Sequence, residues 1–367
     1  LYNAALEEWK YAYRHKGHSL SVALSKFEQI KEFTGVRNDD PEFWGGISVQ
    51  IGRGVLTRLD RARQSFYRRV KNGEIPGFPR FKSASRWNTI EIPEQCKTMI
   101  KKRGRGHVLQ IKGLPTLRLK KGLNLPPAQD MKSLTITKRG RRLWVNLIYA
   151  VEQEPMPLSN KVVGLDMGVS DRVTLSTGES IRRRAKPNAK LRRAQQRMAR
   201  CRKGSRRWKQ RRAILSNLQD RERIKNRNEC HRITTDIVRR FGLIVIEDLK
   251  IDNMTASAKG TTEVPGKNVK WKSGLNRSIN EQTWGIIKQQ LTYKAEWAGR
   301  RLVDVDPKHT SQTCSGCGVV DAGNRNGKRY ECAFCGLLMD ADVNAAINIL
   351  HRGLAGGTVP AAALDAA

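Results

Sequence analysis

Acidic residues are scarce in this chain: 34 Asp and Glu stand against 70 Lys and Arg in 367 residues, a formal net charge of +36. An excess of that size makes the compact state self-repelling, so the expected compensating partner is a polyanion, and nucleic acid above all. Long apolar runs are also missing. None approaches the ~18 residues a spanning helix needs, which excludes helical membrane proteins and predicts no membrane partner. No charged-then-apolar leader opens the sequence at Leu1, so a cytoplasmic rather than secreted chain is expected. Aromatics are few at 6%, yet hydrophobic residues reach 38%, enough for a sizeable core and too many for a disordered basic tail. The histidines, His107 and His231 among them, lack ligand-like spacing and are assigned no site. Cysteines number seven, an odd count, and four fall in two tight pairs, which suggests metal in a reducing compartment rather than a disulfide framework. At about 150 residues per domain, the length predicts two or three domains.

Along the chain the hydrophobic period changes twice. Leu1, Ala5, Leu6, Trp9, Ala12 and Tyr13 recur at helical spacing; a second helix is predicted over Ser19 to Phe33, closed by Gly35, and a third from about Ile47 to Val70. The third carries Arg58, Arg61, Arg63, Arg68 and Arg69 with few acids nearby. Pro76-Gly-Phe-Pro-Arg-Phe-Lys82 reads as an aromatic-basic loop able to stack bases and contact phosphate. From Asn88 to Val151 the period becomes two, with strands over 108–111, 117–119, 134–137 and 143–149 and a hairpin connection at Gly140-Arg141-Arg142. Four or five short strands there predict a small barrel, since closure removes edges. Glu152 to Asn160 looks like a linker.

Beyond it, Ile181 to Arg232 holds 21 Lys or Arg against three acids. A charge run is usually only a solvated face. Here Leu191, Ala194, Met198 and Cys201, then Ile214, Leu215 and Leu218 after Gly204, keep a helical stripe and predict a basic helical hairpin. Thr255 to Ser273 is polar and read as a mobile loop, a candidate lid; Thr283 to Arg300 is amphipathic; the Ala-, Gly- and Pro-rich tail from Gly353 is expected to be disordered.

Two motifs carry chemistry. Cys314-Ser-Gly-Cys317 and Cys332-Ala-Phe-Cys335 are CxxC knuckles separated by 14 residues. Four thiolates in that arrangement match one tetrahedral Zn²⁺, and with all four positions taken by protein the ion is structural. Gly316, Gly318 and Gly336 supply the backbone freedom, while Cys96, Cys201 and Cys230 read as small apolar residues. Three acids form the second motif. Asp166 follows the apolar Val162 to Leu165, Glu247 ends the apolar Leu243 to Ile246, and Asp342 opens an Ala-rich helix; each alone reads as a turn, strand-end or helix-capping acid. Together, in the order Asp, Glu, Asp, they describe a ribonuclease-H-like site for two Mg²⁺ ions and phosphodiester hydrolysis. Asp248 and Asp340 are neighbours that could be confused with the ligands.

Gly164-Leu-Asp-Met-Gly168, Ile244-Val-Ile-Glu-Asp-Leu249 and Asp340-Ala-Asp-Val-Asn-Ala-Ala-Ile-Asn-Ile349 resemble the three RuvC motifs of the TnpB family, insertion-sequence proteins related to miniature type V CRISPR effectors. The knuckles, the Val305-to-Cys314 stretch, the Pro76-to-Lys82 loop and the basic hairpin fit the same family, so the resemblance covers nearly the whole chain. It implies an α+β multi-domain fold: a helical recognition lobe (1–85), a wedge-like β-barrel (86–155), a RuvC-like nuclease (160–310) with the basic hairpin (181–240), an inserted target nucleic-acid-binding zinc ribbon (311–338), the third RuvC motif (339–352) and a disordered tail (353–367). It further implies a prokaryotic, nucleoid-associated, RNA-guided DNA endonuclease, with a guide RNA from the element's end and target double-stranded DNA bearing a short flanking motif. Asp166, Glu247 and Asp342 would be the catalytic Mg²⁺ ligands; Asp342 is preferred over Asp340 because it lies two residues before Asn344. The hairpin and the first-lobe arginines would hold guide and heteroduplex. Family members usually carry a β-strand and short helix ahead of the point where Leu1 falls, so a barrel with one unpaired edge is expected.

The rival readings are a type V CRISPR effector, which longer chains fit better, and a nuclease-dead RNA-guided repressor, which would lack one of the three acids. A cut-and-paste transposase orders its acids Asp-Asp-Glu, and a zinc-ribbon RNA binder leaves Asp166 and Glu247 unexplained.

Overall fold

The computed structural model describes residues 1–15, 24–94, 96, 99–140, 142–152, 156–182, 189–261 and 263–355. The chain divides into two compact units, Leu1–Glu152 and Gln153–Ala367.

In the first unit, helices α1 (Tyr2–His15), α2 (Lys26–Asp39), α3 (Pro41–Trp44) and α4 (Val49–Lys71) gather Leu6, Trp9, Phe33, Leu56, Leu59 and Phe66 into one core. Helix α2 is shifted from its predicted place. Ser25 caps it through a reciprocal capping box with Glu28, and it runs four residues past Gly35; the expected start at Ser19 lies outside the described residues. The α4 arginines are less free than the sequence implied. Arg63 is buried, donating to the Leu24 carbonyl at 2.7 Å and to Asp60 at 3.0 Å, and Arg61 pairs with Glu91 at 2.6 Å. The 76–82 loop is likewise partly used in packing: the Phe78 ring stacks on Trp9 at 5.1 Å, and Lys10 Nζ lies 4.0 Å from the Phe81 centroid.

Six strands complete this unit: β1 (Thr89–Ile92), β2 (Ile100–Arg103), β3 (Gly106–Leu109), β4 (Leu117–Arg118), β5 (Met131–Arg139) and β6 (Arg142–Tyr149). Among the described residues they form two antiparallel three-stranded sheets, β1-β5-β6 and β2-β3-β4, rather than one closed ring. Ile92, Leu109, Ile111, Met131 and Leu134 from both sheets share a single core. The β5–β6 hairpin turns at Gly140, whose φ is +59°; Arg141 lies outside the described residues.

The second unit is a mixed α/β layer structure. Its sheet comprises β7 (Val162–Asp166), β8 (Val173–Leu175), β9 (Ser180–Ile181), β10 (Leu243–Glu247) and β11 (Arg301–Val305), in the order β11-β10-β7-β8-β9. Strands β7, β8 and β9 are antiparallel, while β10 lies parallel to both β7 and β11. The basic segment folds as the predicted hairpin of α5 (Ala189–Ala199) and the 35-residue α6 (Arg206–Arg240), with the Ser205 hydroxyl accepting from Trp208 N–H as N-cap. Helices α7 (Ile251–Met254), α8 (Val269–Gln282), α9 (Trp284–Trp297) and α10 (Ala341–Ala355) follow. Helix α8 claims residues 269–273 of the segment read as a loop, and its Lys272 and Asn276 donate to the Met254 and Thr255 carbonyls, so the segment is tied down at both ends. Helix α10 takes Gly353 to Ala355; the rest of the predicted tail lies outside the described residues.

Strand side chains alternate between faces, which explains why β7 and β10 are apolar throughout. Val163, Leu165, Ile244 and Ile246 pack with Ile233 and Ile237 of α6 and Ile287 and Leu291 of α9. Leu243 and Val245 pack the other way, on Ile349 and Leu350 of α10. On that side β7 touches the helix backbone: a Cβ at Gly164 would stand 2.1 Å from the Ala346 carbonyl oxygen.

Candidate active site

The alternation that builds the sheet also fixes where its terminal acids point. Asp166 shares the parity of Gly164, and Glu247 that of Leu243 and Val245, so both leave the carboxyl ends of adjacent parallel strands on the α10 face. Ligands of open α/β sheets bind at such strand ends. Asp342 occupies the first turn of α10 and is buried, as is Glu247. The sequence thus delivers three carboxylates to one end of the sheet from three elements.

Their electrostatics differ. Burial first, then the neighbouring Glu247 and Asp342 carboxylates, push Asp166 from 3.8 to about 7. Burial also raises Glu247, against the Thr310 hydroxyl, which donates to its Oε1 at 2.5 Å. Asp342 is held by cations: Arg325 Nη2 lies 2.9 Å from Oδ1 and Lys328 Nζ 3.8 Å from Oδ2. Lys328 also pairs with the buried Asp171, linking the turn after β7 to the hairpin of β12 (Arg325–Asn326) and β13 (Arg329–Glu331). Sequence reading did not single out Thr310, Asp171, Arg325 or Lys328. Thr310 lay inside a stretch noted only for its likeness, and the two cations were lost in a chain full of cations.

The two neighbouring acids are accounted for. Asp340 caps α10, accepting from the Asp342 and Val343 N–H groups at 2.9 and 3.2 Å, so Asp342 is not the capping acid. Asp248 is paired with Lys250 and Lys288 at 2.5 and 2.8 Å, and these cations hold it down to about 2.

Cys314, Cys317, Cys332 and Cys335 converge, with their Sγ atoms all within 4.8 Å of one another. Among the described residues this is the one group of cysteine, histidine or acidic side chains drawn together so tightly; the three carboxylates are not. Cys314–Cys335 at 3.6 Å and Cys317–Cys332 at 3.7 Å are too long for disulfides and match the edges of a tetrahedron with Zn–S bonds of about 2.3 Å. The two knuckles repeat one turn. Cys314 N–H donates to the Val319 carbonyl and Gly318 N–H to that of Cys314; Cys332, Leu337 and Gly336 do the same. Gly318 and Gly336 carry φ of +78° and +71°, as that turn demands. Burial raises the Cys314 thiol, but the Cys317 and Gly316 N–H groups outweigh it and bring it down to about 7. Against the Val319 and Leu337 N–H groups, burial and the neighbouring thiols push Cys317 up to about 12 and raise Cys335, so the quartet does not carry four thiolates without a cation. The four thiols could hold zinc. Cys96 and Cys230 are buried elsewhere, and Cys201 is half-buried.

The knuckles are bolted to the carboxylate end through α10. Asn344 accepts from Ser315 N–H at 2.9 Å and donates to the Thr313 carbonyl at 2.8 Å. Asn348 donates to the carbonyls of Thr310 and Thr313 at 3.0 and 2.6 Å. The helix presenting Asp342 therefore also anchors the first knuckle and the loop whose Thr310 touches Glu247.

Comparison with known proteins shows the family. Residues 146–258 match the OrfB_IS605 family, described as "Probable transposase", and residues 284–349 match the Cas12f1-like TNB domain. The chain is 33% identical over 303 residues to the RNA-guided DNA endonuclease InsQ of Escherichia coli, covering 81% of this chain and 73% of the relative. A Streptomyces pristinaespiralis RNA-guided DNA endonuclease is 28% identical over 97% of this chain and 83% of its own. In structure, the Cas12f1–sgRNA–target DNA complex shares the fold, with a TM-score of 0.52 at 17% identity over 95% of this chain and 79% of that one. With two family matches spanning the acids and the knuckles, and a relative aligned over most of both lengths, the chain belongs to the TnpB-like family of RNA-guided DNA endonucleases.

Proposed function

We propose that this protein is an RNA-guided DNA endonuclease of a transposable element. It binds a guide RNA from the element's end and cuts target double-stranded DNA that carries a short flanking motif. The observation that carries the reading is that Asp166 and Glu247 leave adjacent parallel strands on the α10 face, with Asp342 in the first turn of that helix. The strand order β11-β10-β7-β8-β9, an antiparallel trio continued on one side by two strands parallel to β7, supports a ribonuclease-H-like RuvC core.

The donor set fits Mg²⁺. Three carboxylates supply hard oxygen ligands, and Asp166 is pushed up by burial first and then by the negative charge of Glu247 and Asp342, a combination that a bound cation would relieve. When bound, paired divalent ions polarise the scissile phosphate and favour ionisation of the attacking water. The chain's own residues set the conditions. The Thr310 hydroxyl fixes one Glu247 oxygen. Arg325 and Lys328 pair with Asp342 and are placed to exchange it for phosphate oxygens of an incoming strand. The knuckles, with Zn²⁺, hold that hairpin against α10. The lysines and arginines of α5 and α6 supply sequence-independent attraction for the guide and its heteroduplex.

Co-purification and sequencing of bound RNA, followed by cleavage of a guide-matched duplex with Mg²⁺, tests the reading. A single abundant RNA with cleavage abolished in Asp166→Ala supports it; diverse RNA and no guide-matched cleavage overturns it. A nuclease-dead repressor is disfavoured because all three acids are present.

A further inference from the structure

The carboxylates occupy one end of the five-stranded sheet, and the opposite end carries a feature that cleavage does not use. There β11 begins at Arg301, beside Leu243, four residue steps or roughly 13 Å of strand from Glu247. Just before it, α9 ends in Trp297, which is 56% exposed, with its ring 5.0 Å from Tyr293 and inclined by 64°. With Met156, Val238 and Arg239 these rings line a groove of about 320 Å³.

The surroundings are cationic and uncompensated. Among the described residues Arg227, Arg232 and Arg239 make no ion pair, and the nearby Asp236 is already taken by Arg240 at 3.0 Å. Arg232 and Arg239 line one adjoining stretch of α6 surface together with His231, Thr235 and Asp236. Lys294 is scaffold: its Nζ donates to the His231 carbonyl and to the Thr234 and Thr235 hydroxyls at 2.7–2.8 Å, pinning α9 to α6 and so fixing where Trp297 stands. An exposed Trp297 beside a half-buried Tyr293 on a rigid helix, with Arg239 in the groove and Arg232 next to it, is the composition of a single-stranded nucleic-acid platform, where bases stack on rings and phosphates meet guanidinium groups.

We propose that this groove binds an unpaired stretch of the guide RNA, with bases stacked on Trp297 and Tyr293 and phosphates on Arg239 and the neighbouring Arg232. The proposal rests on the guide-RNA reading above. RNA is favoured over target DNA because a strand to be cut must reach the carboxylates at the other end of the sheet, whereas RNA loops are recognised by stacking of splayed bases.

The test titrates the full chain with labelled element-end RNA at two salt concentrations, comparing wild type with Trp297→Ala, Trp297→Phe and Arg239→Gln. Zinc content and thermal unfolding establish that each variant is folded. Trp297→Ala is expected to weaken RNA binding about 5- to 100-fold, Trp297→Phe to restore most of it, and Arg239→Gln to lower the slope of log K against log salt by about 0.7. RNA carrying 4-thiouridine should cross-link to the peptide holding Tyr293 and Trp297. If wild type prefers this RNA to an unrelated one of equal length but all three variants bind it within twofold of wild type, the groove proposal is overturned while the guide reading stands. If Trp297→Ala weakens only capture of target DNA by RNA-loaded protein, the groove is a DNA surface and the proposal is likewise wrong. If wild type shows no preference for element-end RNA, the guide reading falls first.

Discussion

Asp166 concentrates the cost of the site. Its folded-state value near 7 against an ordinary 3.8 means the folded chain keeps a proton that the unfolded chain has released. Its contribution to stability is therefore complete below about pH 4 and lost as pH rises through about 7. Asp166→Asn removes that loss. In EDTA at about pH 8 the variant should unfold at a higher temperature than wild type, by up to about 4 kcal/mol in stability, with the advantage gone near pH 4. Calorimetry at the two pH values reads this out, and equal shifts at both would refute it. The same titration governs activity in the opposite direction. Guide-directed cleavage should fall about tenfold per unit as pH drops below about 7, because ion binding needs the carboxylate. Thr310→Val tests the second acid: without its hydroxyl donor Glu247 should titrate higher still, moving the acid limb of the cleavage profile upward.

At the scale of elements, the contact between β7 and α10 sets the distance between Asp166 and Asp342. Only a glycine fits at 164, since a Cβ there would meet the Ala346 carbonyl at 2.1 Å. Gly164→Ala should destabilise the second unit by about 3 kcal/mol or more and reduce cleavage further than stability alone explains, as seen by urea unfolding and by cleavage under conditions where the protein remains folded. Helix α6 shows how an element can serve two ends. Its buried Ile233, Ile237 and Val238 build the sheet core, while Arg232 and Arg239, which flank them, stay exposed.

For the whole molecule, metal and charge decide assembly. Removing zinc with a strong chelator, or making Cys332→Ser, should abolish cleavage without touching any of the three acids, because the first knuckle, Asn344 and Asp342 form one connected piece. RNA binding carried by α5 and α6 should persist, and metal analysis should return one zinc per wild-type chain. Retained cleavage in the zinc-free protein would break the link argued here.

Much of this was legible before any coordinates. Charge excess named a polyanionic partner, the CxxC spacing named four ligands, and two apolar runs ending in acids named strands whose tips matter; each is a local property that spacing records directly. The basic hairpin was readable because its apolar stripe survives within the charge. Other features required the fold. Arg63 and Phe78 look like nucleic-acid contacts in sequence but are spent on packing, since burial depends on neighbours 39 and 69 residues away. Among the described residues the strands of the first unit divide between two sheets where the strand pattern predicts a small barrel, because pairing partners are chosen by contacts that the pattern does not record. Thr310, Asp171, Arg325 and Lys328 reach the carboxylate end from distant segments, and one cation among 70 has no local mark. The sequence by itself determined which chemistry this chain can support, because ligand type and strand parity are written residue by residue. Only the tertiary structure decided which charges are free to meet nucleic acid, because pairing and burial belong to contacts that sequence distance does not reveal.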